Sequence, residues 1–158
     1  MMAWLESTAL ATWTRESPSL WAYPTILTLH TVGLGIVVGA SAVVDFRMFG
    51  FAPRIRMALL APLFRVIWWA FAVNTVSGVL LFIADATRKS AQPVFYIKLV
   101  LIALALYNMA LVQQLVVADE RFDSHTNAAA PARHKRLAAA SLVLWAGAIT
   151  AGRLMAYL

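Results

Sequence analysis

Three basic side chains stand inside or at the edge of apolar sequence where lipid should exclude them: His30, Lys98 and Arg153. Ionisable groups in such surroundings are costly, so they face a bundle interior and mark sites where something is bound or moved. A neutral imidazole ligates a metal or hydrogen-bonds a carbonyl, whereas ammonium and guanidinium groups balance carboxylates. His30 is the only one of the three histidines within an apolar run. At about 1.5 Å per helical residue it lies about 10 Å below a water boundary marked by Tyr23. Arg153, counted from Tyr157, is about 6 Å deep, and Lys98, just inside Phe95 and Tyr96, about 3 Å. All three fall in the same half of a bilayer. Gly33, Val37 and Ser41 follow His30 along one helical face and place the imidazole beside small residues.

Three roles for this group remain open. His30 is a satisfied interior histidine, with Lys98 and Arg153 extending to headgroups. Alternatively it is an axial ligand of haem b, or bonds a quinone, with Lys98 and Arg153 meeting acidic groups nearer the surface. In the third, His30 and the polar Asn74, Asn108 and Gln113 line a proton or solute path. Asn74, near Thr75 and Ser77, and Asn108 lie near mid-bilayer, where interhelical hydrogen bonds or ligand contacts would use them. With His30 as the metal ligand, iron lacks a second histidine at the same depth, because His125 and His134 lie in a polar connection. Met109 is about 11 Å too deep, and Met155 is too shallow. Water, a partner chain or a second His30 would complete the coordination.

The elements that position these residues are four apolar runs at 20–44, 62–84, 93–117 and 137–158. A bilayer core of about 30 Å takes about 20 apolar helical residues, and backbone crossing it must satisfy its own hydrogen bonds. Composition agrees: 62% of the 158 residues are hydrophobic, 13% are charged, and the mean hydropathy is +0.76. The chain is therefore expected to be an all-α integral membrane protein, a single four-transmembrane-helix bundle over 1–158. Residues 1–16 carry Glu6, Arg15 and Glu16 among Trp4, Leu5, Leu10 and Trp13. They lack a signal peptide's basic leader and read as a short interfacial helix. Ser17-Pro18 reads as the start of the next helix, in which Pro24 should make a kink.

The net charge of +6 comes from connections rather than one face, which suits topology control and argues against nucleic acid. Arg47, Arg54, Arg56 and Arg65 fill one connection, and Arg121, Arg133, Lys135 and Arg136 another, against Arg15, Arg88 and Lys89 opposite. The basic excess belongs in the cytoplasm, so both termini are expected outside a bacterial inner membrane, in the periplasm of a Gram-negative source. Acidic Asp119, Glu120 and Asp123 weigh little in this rule. Gly35 with Gly39, and Ala148 with Gly152, are spaced for close helix contact. Asp45, beside Arg47 at the end of the first run, is placed to pair with Arg65. With no cysteine, disulfides, thiolate metal sites and covalent c-type haem are excluded. Phosphate-binding glycine loops, nucleophile elbows and zinc-protease motifs are absent, which disfavours hydrolases.

The stretch Leu29-His30-Thr31-Val32-Gly33 through Gly39 to Asp45-Phe46-Arg47-Met48-Phe49-Gly50 resembles an uncharacterised family of small bacterial four-helix membrane proteins. Ser77-Gly78-Val79-Leu80-Leu81-Phe82, Pro93-Val94-Phe95-Tyr96-Ile97-Lys98, Trp145 and Gly152-Arg153-Leu154 carry the same likeness. More distantly the chain resembles the membrane portions of copper-resistance and b-type cytochrome proteins. That resemblance implies a bundle and permits a redox role. The expected function is a haem- or quinone-binding module. His30, with Gly33, Asn74 and Asn108 nearby, would be ligand or donor, and Lys98 and Arg153 would be anion partners. Its surroundings would be the lipid bilayer and a membrane-protein partner or second copy. An accessory or assembly subunit that docks through Gly35/Gly39 is the alternative, and a proton or small-solute carrier is a third.

Overall fold

A computed structural model describes residues 2–119 and 131–157; Glu120, Arg121, Asp123 and His125 lie outside them. The described elements are α1 (Met2–Glu6), α2 (Ala9–Glu16), α3 (Tyr23–Phe49), a 3-10 turn (Met57–Leu60), α4 (Ala61–Ile83), α5 (Ala86–Ala91), α6 (Pro93–Asp119) and α7 (Ala132–Leu154). Helices α3, α6 and α7, and α4 together with the turn before it, are each long and apolar enough to cross a membrane. The protein is an all-α, multi-pass membrane bundle, as the four apolar runs require.

Hairpin α3–α4 and hairpin α6–α7 are the two closely packed pairs, α3 against α7 joins them, and α4 and α6 touch little. The core lies where the four helices converge, around Val37, Val44, Met48, Phe64, Ile67, Met109, Val112 and Trp145. Only 17% to 28% of each apolar window is covered by the chain itself. Lipid-like surroundings remove the hydrophobic drive between helices, leaving close packing and hydrogen bonds to hold such a bundle together.

Several local expectations change. The N-terminal segment is two helices rather than one, broken at Ser7 and Thr8. The Thr8 side chain accepts from Ala11 N–H at 3.3 Å and starts α2, as N-cap threonines do. Ser17 ends α2 instead of opening the next helix, its N–H bonded to the Trp13 carbonyl at 3.2 Å. Helix α3 begins only at Tyr23, so Pro24 falls in the first turn and does not act as an interior helix breaker, because first-turn N–H groups lack helical partners anyway. Glu6 of α1 accepts from Thr87 N–H at 2.7 Å, tying the N-terminal helices to the α4–α5 end.

Helix α3 continues past Val44 to Phe49 and ends at Gly50, whose φ is +101°. Phe51 N–H bonds the Phe46 carbonyl and Gly50 N–H the Arg47 carbonyl, a Schellman ending that favours glycine at the left-handed position. Arg47 secures the following loop, donating from Nε to the Ile55 carbonyl at 2.6 Å and from Nη2 to the Pro53 carbonyl at 3.3 Å. The expected Asp45–Arg65 pair does not form: Arg65 is exposed and Asp45 is buried among the helices. Helix α7 starts at Ala132, ahead of the apolar run that begins at 137, because Arg133, Lys135 and Arg136 form a helical turn without being apolar. Hydropathy marks the lipid-matched part of a helix, and good helix formers carry it further.

Candidate functional site

His30 on α3 packs against α4 and Lys98 on α6 packs against α7, and the Lys98 charge reaches His30. His30 is half-buried on α3 and faces α4. Its Nδ1 is 3.0 Å from the Asn74 carbonyl and 3.2 Å from Ser77 Oγ. A carbonyl only accepts, so Nδ1 carries the proton that it donates to Asn74. In the neutral ring Nε2 then presents a lone pair. Nε2 has no hydrogen-bond partner among the described residues and is not among the sealed polar atoms. Metal-binding histidines are oriented this way, one nitrogen held by a carbonyl and the other left to ligate.

The ring has room because α4 carries glycine beneath it. A Cβ added at Gly78 would stand 3.0 Å from His30 Cε1 and 3.4 Å from Nδ1. One helical turn along, Gly33 provides the close approach: its added Cβ would meet the Ala70 carbonyl oxygen at 3.2 Å and Asn74 Cβ at 3.3 Å. Gly33 is thus the contact that brings the Asn74 carbonyl within reach of His30. By contrast, an added Cβ at Gly35 or Gly39 meets nothing within 4 Å. The expected Gly35/Gly39 contact is not used inside this bundle.

The second hairpin repeats the arrangement with different chemistry. Lys98 on α6 lies over Gly152 of α7, where an added Cβ would be 3.4 Å from Nζ and 3.5 Å from Cε. Its next-turn neighbour Leu101 packs over Gly147, at 3.3 Å by the same measure. A large residue over a glycine therefore recurs at the same end of both hairpins, imidazole in one and ammonium in the other. Lys98 and Lys89 are the charged groups whose fields reach His30. Lys89, on α5, donates to the Leu81 carbonyl. Burial pulls its pKa below the ordinary lysine value, with Asp85 opposing. No carboxylate is paired with Lys98 among the described residues, where the ion pairs are Arg15–Glu16 and Arg88–Asp85.

The remaining expected residues separate. Arg153 is exposed on α7, one residue past the glycine that supports Lys98. The Asn74 side chain is buried and its Oδ1 has no partner, while its backbone serves His30. Asn108 is remote from this end, donating from Nδ2 to the Leu137 carbonyl at 3.1 Å and clamping α6 to α7. Gln113 accepts from Trp68 Nε1 at 3.0 Å. These polar groups do not form a file with His30. One residue of the site that motif reading passes over is Lys89 of α5, and the connection before α6 also buries Gln92. Both amide atoms of Gln92 are buried without a partner. The signal available was a glutamine directly before the helix-opening Pro93.

Beside His30 an open groove of about 340 Å³ runs between α3 and α4, lined by Ile26, Leu29, Trp69, Ala72, Val73, Val76, Ser77 and Leu80, with only apolar atoms on its surface. It runs past Ser77, whose hydroxyl is turned to the imidazole, and includes Trp69. Among the described residues no three of His, Cys, Asp and Glu converge as a metal-binding group. Comparison of the chain with protein-family models, curated proteins and solved structures finds no match. The site's own chemistry must therefore carry the functional reading.

Proposed function

We propose that this protein is a membrane-embedded redox module that holds haem b or a quinone at His30 and works beside a membrane partner. The observation that carries the reading is the fixed tautomer of His30, with Nδ1–H on the Asn74 carbonyl and the Nε2 lone pair unpartnered. Such a nitrogen would serve as a ligand to haem iron or would accept a hydrogen bond from a reduced quinone hydroxyl. Lys98 and Lys89 supply positive charge for haem carboxylates or a reduced quinone oxygen. The apolar groove suits a macrocycle edge or an isoprenoid tail. The group, when bound, supplies the electron exchange. The chain contributes orientation, a fixed proton position and counter-charge. No three of His, Cys, Asp and Glu converge among the described residues, and in this reading water or a partner chain would complete the iron's coordination.

Absorbance spectra of gently purified protein, oxidised and reduced, together with solvent extraction for quinone, test this. A Soret band or stoichiometric quinone is expected, falling by roughly tenfold or more in His30→Ala. A protein with neither, even after haem supplementation, overturns the reading. A full Soret band in His30→Ala rejects the ligand assignment.

An accessory subunit is the second reading, favoured by Gly35 and Gly39, which lie exposed on α3 with open space above them. Small residues spaced by four on a lipid-facing surface suit close approach of another helix. Stable co-purification with a larger complex, without bound cofactor, would select it. In either reading we place the protein in a bacterial inner membrane with both termini outside, on the distribution of arginine and lysine among its connections. A reporter fused at Leu158 should be active only outside the cytoplasm; cytoplasmic activity would invert the orientation.

A further inference from the structure

About 22 Å further along α3 than His30, the core holds a carboxyl that the chemistry above does not use. Asp45 is 2% exposed, and among the described residues no cation is paired with it. Arg47 is committed to the Ile55 and Pro53 carbonyls, and Arg65 is exposed. Its Oδ2 has no hydrogen-bond partner among the described residues, and the Ser141 hydroxyl of α7 lines the same cavity as the carboxyl. One turn back on α3, Ser41 Oγ is also buried and unpartnered. These three residues line a small cavity of about 10 Å³ between α3, α4, α6 and α7.

An isolated carboxylate in such a place is untenable, because burial without a counter-charge strongly favours the neutral form. A cavity of this size holds one water, which needs two to four polar partners. Asp45, Ser41 and Ser141 provide three. They are too few to replace the oxygen shell of a bound hard cation. The other walls are Val44 on α3, Phe64 and Ile67 on α4, and Met109 and Val112 on α6. None of these titrates, nor does Ser141 on α7, so any protonation change here belongs to Asp45.

We propose that this cavity is a proton-binding site in which Asp45 is carried as the neutral acid and one water bridges it to Ser41. The acid proton stays on the carboxyl oxygen and is donated in a hydrogen bond to that water, which in turn bonds the Ser41 hydroxyl. The site stands independently of the redox reading at His30.

Infrared spectroscopy of the full-length protein in lipid vesicles tests this. At neutral pH the wild type should show the C=O stretch of a protonated carboxylic acid that shifts in D2O. Asp45→Asn should lose that band, its amide keeping the shape and the Ser141 contact. Ser41→Ala should keep the band and move it to higher frequency, as the bridging water loses a partner. Three results would overturn the proposal: no acid band in the wild type, a band insensitive to D2O, or a band that appears only when sodium is withdrawn, which would mark a cation site.

Discussion

Gly78→Val is expected to release His30 from its anchor and to lower the unfolding temperature of the detergent-solubilised protein. The new Cβ alone would stand 3.0 Å from His30 Cε1, tighter than nine in ten real Cβ contacts, and valine adds two methyl groups. Backbone on α4 cannot withdraw without opening the α3–α4 contact, so the ring must swing away from the Asn74 carbonyl. The loss combines one hydrogen bond, about 1 kcal/mol, with overpacking of about 1–3 kcal/mol. Nitrogen NMR of labelled histidine reads the first part directly, since the proton should no longer be confined to Nδ1. Gly39→Val is the internal control, for its Cβ meets nothing within 4 Å. An imidazole signal and melting temperature unchanged in Gly78→Val would show that the ring does not rest on this glycine.

Gly33→Leu should cost stability of a similar size, by acting on the helix wall itself. Its Cβ would meet the Ala70 carbonyl oxygen at 3.2 Å and Asn74 Cβ at 3.3 Å, atoms of the helix wall rather than the tip of a flexible side chain. The added isobutyl group must push α3 and α4 apart. Overpacking of this kind costs roughly 3 kcal/mol, at the upper end of its usual range. The His30–Asn74 bond, one turn away, would lengthen with it, so bound haem or quinone should fall in the same variant. Gly35→Leu, two residues along and facing open space, should leave thermal unfolding near wild type. The same Gly35→Leu also separates the two functional readings: loss of a partner complex with the monomer intact would favour docking through that surface. Equal melting curves for Gly33→Leu and Gly35→Leu would mean that the Gly33 contact does not hold the hairpin closed.

The bundle was legible because lipid imposes a length and a polarity that no short motif needs to announce. What hydropathy could not supply was rotation about each helix axis. Small residues at Gly33, Gly35 and Gly39 look alike in a string, yet only Gly33 turns toward α4. Depth counting put His30, Lys98 and Arg153 in one layer. Packing over Gly78 and Gly152 keeps the first two at the bundle and leaves the arginine exposed. Hydropathy puts Asp45 with Arg47 at the end of the first span, in reach of Arg65. Its burial depends on Ser141, almost a hundred residues later in the chain, and on three other helices closing over it. Helix ends moved for a related reason: Arg133 to Arg136 is a helical turn whose polarity resembles a loop, and Asp45 and Arg47 interrupt the apolar run before α3 ends at Phe49.

The thin self-coverage of the spans reaches beyond architecture. With less than a third of each apolar window shielded by its own chain, most of the surface is finished by whatever amphiphile surrounds it. Acyl length, headgroup charge and detergent shape thereby become structural ingredients on a par with side chains. A melting curve recorded in one micelle belongs to that protein–detergent particle, and variants can be ranked only within a common medium.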